Sequence, residues 1–265
     1  MSELLRKVQL IELDILKDLD RVCKANNITY FIAQGTLLGA AKYKGFIPWD
    51  DDIDVIITYN ELKKLMSIYP SQGNDKYMYT DFNVEKHFPL PWSKIRAKDT
   101  LSRPVKYKDL PINWGICIDL FPIYSLSDNG VIRKAEIFLI KIAFKLLMSK
   151  MTKYEEGHGF VNRLLEKIPI SFKHLYCNAL LKHLASNKDD SRYVFITSKG
   201  GRIKERRLIF GEQTELQFED SVFPVPSQYH EYLTEFFGDY MAPLPESEQR
   251  GHDLTMGEIE WKLPD

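Results

Sequence analysis

Gly35-Thr36-Leu37-Leu38-Gly39-Ala40-Ala41-Lys42-Tyr43-Lys44-Gly45-Phe46-Ile47-Pro48-Trp49-Asp50-Asp51-Asp52-Ile53-Asp54-Val55 is the stretch that decides how the chain is read. A Gly-Thr pair opens a short helical run that Gly45 is expected to close. A Pro-Trp turn follows, and then four acids fall within five residues. They lead into an apolar strand expected over Asp52 to Thr58. Alternate side chains of a strand share a face. Asp50, Asp52 and Asp54 are therefore expected on one side, with Ile53, Val55 and Ile57 on the other. Asp51 points away and reads as structural.

Working outward, Leu4, Val8, Ile11, Ile15, Leu19 and Val22 form one helical stripe that Asn26-Asn27 ends. Ile28 to Ala33 is a strand leading into the Gly-Thr turn. Asn60 is a candidate cap for a helix over 61–69 that Pro70 stops. Strands are expected at 76–80 and 92–97. Another holds Ile116 to Phe121, with Asp119 near its end. Helices follow at 130–150, 160–167 and 172–186. Further strands are expected at 193–197 and 216–225, then a helix at 227–237 that Gly238 ends. From Asp239 on the tail has no clear period. The fold class is α/β (α+β), a mixed-sheet core with a helical insertion. The divisions are 1–125 for the core, 126–190 for the insertion, and 191–265 for a C-terminal segment packing back on the core.

Hydrophobic residues make up 44% and charged residues 28% of the 265, the balance of a folded globular chain. A net charge of −1 excludes a global pull toward nucleic acid, so any anion site is local. Cys23, Cys117 and Cys177 are scattered without zinc-ligand spacing and read as reduced core thiols. No secretory leader or membrane span is expected, which reads as a cytoplasmic protein.

A run of acids alone is more often a solvated face. This one begins a strand that otherwise looks buried. Two like charges about 4 Å apart repel by on the order of 4 kcal/mol at an effective dielectric near 20, so something must offset them. A divalent cation does so, and carboxylate oxygens suit Mg²⁺ or Mn²⁺ rather than zinc. The helix starting at Thr36 presents free backbone N–H groups to a phosphate, and Gly35 permits a close approach.

The Gly35-Thr36 turn, the Asp52-x-Asp54 pair and Asp119 on a later strand together resemble the nucleotidyltransferase-like superfamily. A closer resemblance runs from about residue 28 to 252. Gly35 to Ala40 followed by Gly45 to Asp54 is similar to the signature of the LicD family of phosphotransferases, to which fukutin-related protein also belongs. Lys94 to Arg96 with Thr100, Ile118-Asp119-Leu120-Phe121-Pro122, and Tyr232-Leu233 through Gly238 to Met241, Pro243 to Pro245, Arg250 and His252 resemble its later segments. The family's Val-Arg-His after Gly-Ala is here Ala41-Lys42-Tyr43. A lysine at that place offers a point charge instead of a bidentate fork.

The resemblance implies transfer of a phospho-alcohol from a cytidine diphosphate donor to a sugar hydroxyl. For bacterial members this is mostly phosphocholine from CDP-choline to teichoic acid or lipopolysaccharide precursors, with a lipid-linked acceptor at the inner membrane face. It implies Asp52, Asp54 and Asp119 as metal and catalytic residues with Mg²⁺ (or Mn²⁺), Asp119 either sharing a metal or taking the acceptor's proton. Gly35, Thr36, Lys42, Lys44, Lys94 and His252 are the candidates for the donor, with Arg96 a weaker one. Tyr43, Trp49, Trp92 and Trp114 are candidates for a choline cage. The helix of Arg133 to Lys153 is a candidate for peripheral membrane contact, and the basic run 199–207 reads as a solvated loop. The rivals are a nucleotidyltransferase that leaves a nucleoside monophosphate on its acceptor, and a non-catalytic binding module.

Overall fold

The computed structural model describes residues 3–152, 159–187, 190–197, 201–243, 249 and 259–263. Helix α1 (Glu3–Ala25) buries Val8, Ile15, Leu19 and Val22, and Asn27 ends it in the left-handed region at φ 52°. Strand β1 (Tyr30–Ile32), helix α2 (Gln34–Tyr43), strand β2 (Asp54–Thr58) and helix α3 (Tyr59–Gln72) follow. Then come β3 (Tyr77–Thr80), β4 (Ser93–Ala97), β5 (Leu101–Pro104) and the ten-residue β6 (Cys117–Leu126).

These strands form an α/β mixed sheet in the order β1-β2-β6-β4-β3. Only β2 and β6 run parallel; β1 pairs antiparallel with β2, and β4 with both β6 and β3. Val55, Ile56 and Ile57 are all buried, so both faces of β2 are covered.

The far half of β6 takes a second set of partners. Helices α4 (Gly130–Thr152), α5 (Phe160–Lys167) and α6 (Ile170–Leu184) stand between β6 and strand β7 (Tyr193–Ile196). β7 pairs antiparallel with residues 123–126 of β6 and with β8 (Arg202–Glu205). A separate apolar core forms there from Phe82, Phe88, Leu126, Ile140, Leu147 and Leu180. The C-terminal part adds the hairpin β9 (Thr214–Phe218) and β10 (Ser221–Val225), helix α7 (Tyr229–Phe237) and β11 (Ile259–Lys262), which pairs with β5.

Several local expectations are corrected. Lys44, not Gly45, ends α2, in the left-handed region at φ 56° with its N–H on the Gly39 carbonyl. Thr58, not Asn60, caps α3 by accepting from the Glu61 N–H at 3.2 Å, and Pro70 lies inside the helix, not after it. Residues 216–225 are not one strand: Glu219 at φ 58° turns the chain into the hairpin. β2 begins at Asp54, so Asp50 to Asp52 lie in an irregular approach to it. The described part of the basic run is β8 and a short 3₁₀ turn, where Arg207 pairs with Glu205 and Glu231. The three cysteines are free thiols, and among the described residues no helix is long and apolar enough to cross a membrane.

The α2 turn is held tightly from outside. A Cβ on Gly39 would stand 2.4 Å from the Gly45 carbonyl oxygen and 3.3 Å from the Ile47 nitrogen, both backbone atoms. One on Gly45 would meet only the Glu219 carboxylate, which can move. Gly39→Ala is therefore expected to cost about 2 kcal/mol. That corresponds to a melting temperature lower by roughly 4–8 °C for a chain of this size, with Gly45→Ala milder in the same thermal unfolding assay.

Candidate active site

Register alone builds the centre of the site. Asp54 and Asp119 are direct partners across β2 and β6, and Lys94 is the partner of Asp119 across β4 and β6. Acid, acid and base thus lie in a row over three neighbouring strands. The Lys94 ammonium is ion-paired to Asp119 Oδ1 and lies 3.4 Å from the Cys117 sulfur. Burial would lower the Lys94 pKa, but Asp119 and Cys117 outweigh it and hold the pKa above its ordinary value.

The approach loop adds the other acids. Burial raises the Asp52 pKa well above the carboxylate range, and Asp54, Asp50, Asp119 and Asp51 push the same way. Asp51, expected to stand apart, is buried at 8% exposure and belongs to this electrostatic cluster. Thr36 is buried, and its hydroxyl accepts the Asp54 backbone N–H at 2.8 Å. The Ala33 N–H reaches the Asp54 carbonyl at 2.9 Å. The strand start is therefore tied to α2 on both sides.

Gly35 serves a purpose other than the expected one. A Cβ there would come 2.8 Å from Asp50 Oδ2. Its openness makes room for a carboxylate of the chain itself at the start of α2. That helix has no side-chain cap of its own, since Ala33 stands at the cap position. An acid against the N-terminal turn opposes the helix dipole in the favourable sense. Gln34 just before Gly35 adopts φ 51°, and its side-chain Nε2 is a buried donor without a partner. A non-glycine residue there holds backbone strain beside the acids.

The residue that sequence reading passed over is Glu12. It lies on the buried stripe of α1, 3% exposed, and its Oε2 has no hydrogen-bond partner. Burial raises its pKa well above the carboxylate range, and Asp52, Cys117, Asp51 and Asp50 follow as causes, so its carboxyl faces the acid cluster. Gln9, one turn earlier, donates its Nε2–H to the Asp50 carbonyl at 2.9 Å. Gln9 and Glu12, polar residues one turn apart on a largely apolar stripe, are the signal in the sequence. From the opposite side Tyr232 of α7 is fully buried, and Asp54 helps burial raise its pKa.

The remaining candidates are placed as follows. Lys42 donates to the carbonyls of Tyr240 at 3.3 Å and Ala242 at 2.6 Å, so it ties the C-terminal segment to α2. Lys44 is exposed, and its carbonyl accepts the Glu219 N–H at 2.8 Å. Arg96 is buried, bonded to the Gly115 carbonyl and the Thr80 hydroxyl, and reads as structural. Tyr43 and Trp49 meet edge-to-face at 6.4 Å, with the Lys42 ammonium 5.6 Å from the Tyr43 ring centre. Trp92 packs on Phe121 and Trp114 stacks on Tyr107. His252 lies outside the described residues. Among the described residues no group of three or more acid, histidine or cysteine side chains is placed to hold a metal ion.

Residues 27–151 match the family described as LicD/FKTN/FKRP, nucleotidyltransferase domain. The chain is also 28% identical over 268 residues to the lipopolysaccharide cholinephosphotransferase LicD of Haemophilus influenzae, covering 94% of this chain and 96% of that one. The chain is thus similar to the LicD family, most directly over residues 27–151. Two narrower similarities are to uncharacterized proteins of Rickettsia prowazekii (43% identical over 56 residues, 21% of each chain) and Rickettsia typhi (41% over 56 residues, 21% of this chain and 18% of that one). The LicD family match spans β1 into α4 and holds all five aspartates, while Glu12 and Tyr232 reach the site from outside it.

Removing one member of the Lys94–Asp119 pair leaves the other charge stranded. Lys94→Met and Asp119→Asn are each expected to lower stability by about 3 kcal/mol. The double variant should recover a large part of the loss, measured by urea unfolding as a double-mutant cycle. Asp52→Asn removes repulsion and should raise stability in EDTA by on the order of 1 kcal/mol in the same assay, at the expense of turnover.

Proposed function

We propose that this chain transfers phosphocholine from CDP-choline to a hydroxyl of a cell-surface glycan precursor of the lipopolysaccharide or teichoic acid type. The observation that carries the reading is the register pair Asp54 and Asp119 with Asp52 beside it: half-buried carboxylates drawn together against their own repulsion. The name of the Haemophilus relative supports phosphocholine and lipopolysaccharide as the chemistry.

The donor set fits a hard cation. Carboxylate oxygens are its preferred ligands, and the orphaned Glu12 Oε2 adds an uncompensated acceptor beside them. Asp52 and Asp54 would hold Mg²⁺ or Mn²⁺, with Asp119 sharing it. Among the described residues no group of three such side chains is placed to hold a metal ion, so donor phosphate oxygens and water would have to complete the coordination. Such an ion supplies charge neutralisation on the pyrophosphate and on departing CMP.

The protein's own groups set the geometry. Thr36 fixes the start of β2, and Lys94 holds Asp119 in place. Tyr43 and Trp49 offer ring faces to a quaternary ammonium beside the acids. Lys42, bound to backbone carbonyls, acts by holding the C-terminal segment near the site. In the transfer the acceptor oxygen bonds to phosphorus as the bond to the CMP oxygen breaks.

Incubation with CDP-choline and Mg²⁺ is expected to release CMP, read by chromatography. Asp52→Asn or EDTA should lower the rate by roughly a hundredfold or more. Release of pyrophosphate from CTP with no CMP from CDP-choline would establish the nucleotidyltransferase reading instead. A thermal-shift comparison of CDP-choline, CDP-ribitol and CDP-glycerol identifies the donor alcohol, since a ligand of the native state raises the melting temperature with its affinity.

A further inference from the structure

The three helices between β6 and β7 carry a surface that the site does not use. Each buries only one side. α4 turns Ile140, Ala143 and Leu147 inward and α6 turns Cys177, Leu180 and Leu184 inward, while α5 fully buries none of its residues. What they leave outside is large and apolar: Val131 is 80% exposed, Phe138 64%, Phe160 75%, Phe172 63% and Leu175 66%. Isolated apolar residues on a surface are ordinary; three large aromatics above 60% exposure on three consecutive helices are not.

Charge separates the possible occupants. On α4 the exposed line reads Lys134, Phe138, Lys141 and Lys145, at helical spacing. Residues 130–187 hold ten Lys and Arg against four Asp and Glu, a net +6 in a chain whose total is −1, so the remainder carries −7. A second copy docking through this face would set like charges against each other. No described helix crosses a membrane. Aromatic side chains between lysines on a helix lying flat match the boundary of an anionic bilayer, where rings enter the headgroup layer and ammonium groups meet lipid phosphates.

We infer that the exposed face of α4, α5 and α6 is a docking surface for an anionic membrane. The inference rests on this surface and holds independently of the phosphocholine reading.

The test is co-sedimentation of the full chain with vesicles of phosphatidylglycerol and phosphatidylcholine, and with phosphatidylcholine alone. Wild type is expected to pellet with the mixed vesicles and to be released in 1 M salt, where the screening length falls to about 3 Å. Reversing Lys134, Lys141 and Lys145 to Glu should lower the partition coefficient by on the order of 100-fold. Phe138→Ser with Phe160→Ser should lower it at least about tenfold. CMP release from CDP-choline in vesicle-free solution should be unchanged in both variants. Equal binding to both vesicle types, or binding to neither, overturns the inference. So does a dimer in gel filtration that the Phe138→Ser variant dissociates, which would assign the face to a second copy. The salt release of wild type needs no variant, so poor folding of a variant leaves the inference open to refutation.

Discussion

Carboxylates gathered out of water repel one another, and much of the architecture around the acid loop is a response to that repulsion. Asp50, Asp51, Asp52, Asp54, Asp119 and Glu12 share one electrostatic neighbourhood. Each neighbour relieves part of the strain. Lys94 offsets Asp119, the open backbone at Gly35 lets Asp50 approach the positive end of α2, and Thr36 and Gln9 hold the backbone that carries the acids. Burial and the neighbouring carboxylates still hold the Asp52 pKa well above the ordinary carboxylate range.

The C-terminal segment completes the motif. Lys42 binds the Tyr240 and Ala242 carbonyls, Glu219 receives Arg6 at 2.7 Å and stands over Gly45, and Tyr232 fills the space behind Asp54. The turn that presents the acids is thus gripped by groups about 200 residues away in sequence. The lysine that replaces the arginine of the usual family pattern has a structural task here, so the difference bears on how the segment is held.

The α/β class, most of the elements and the acid pair were legible because they rest on short-range signals. The short β-branched run after Asp54 marked β2, the apolar stripe marked α1, and the Asp-x-Asp spacing at the strand's start marked the cluster. The rest depends on contacts that no local pattern carries. Lys94 reads as a phosphate ligand until the β4–β6 register sets it on Asp119. Gly35 reads as a phosphate approach until Asp50 folds over it. Glu12 is one acid in a long amphipathic helix and acquires meaning only when α1 lies across the sheet. At Asn60 the competing hydroxyl of Thr58 won the cap, and at Gly45 a lysine took the conformation that glycine favours.

Strand β6 belongs to both halves of the molecule. Asp119 stands near its start among the acids, and Leu126 at its end is buried in the core under α4 and α6. Seven residues of extended chain separate them, about 23 Å at the rise of a strand. The strand therefore fixes the separation between the acid cluster and the second core, so that a shift of the helices over its far end is transmitted to Asp119 along a rigid, hydrogen-bonded element.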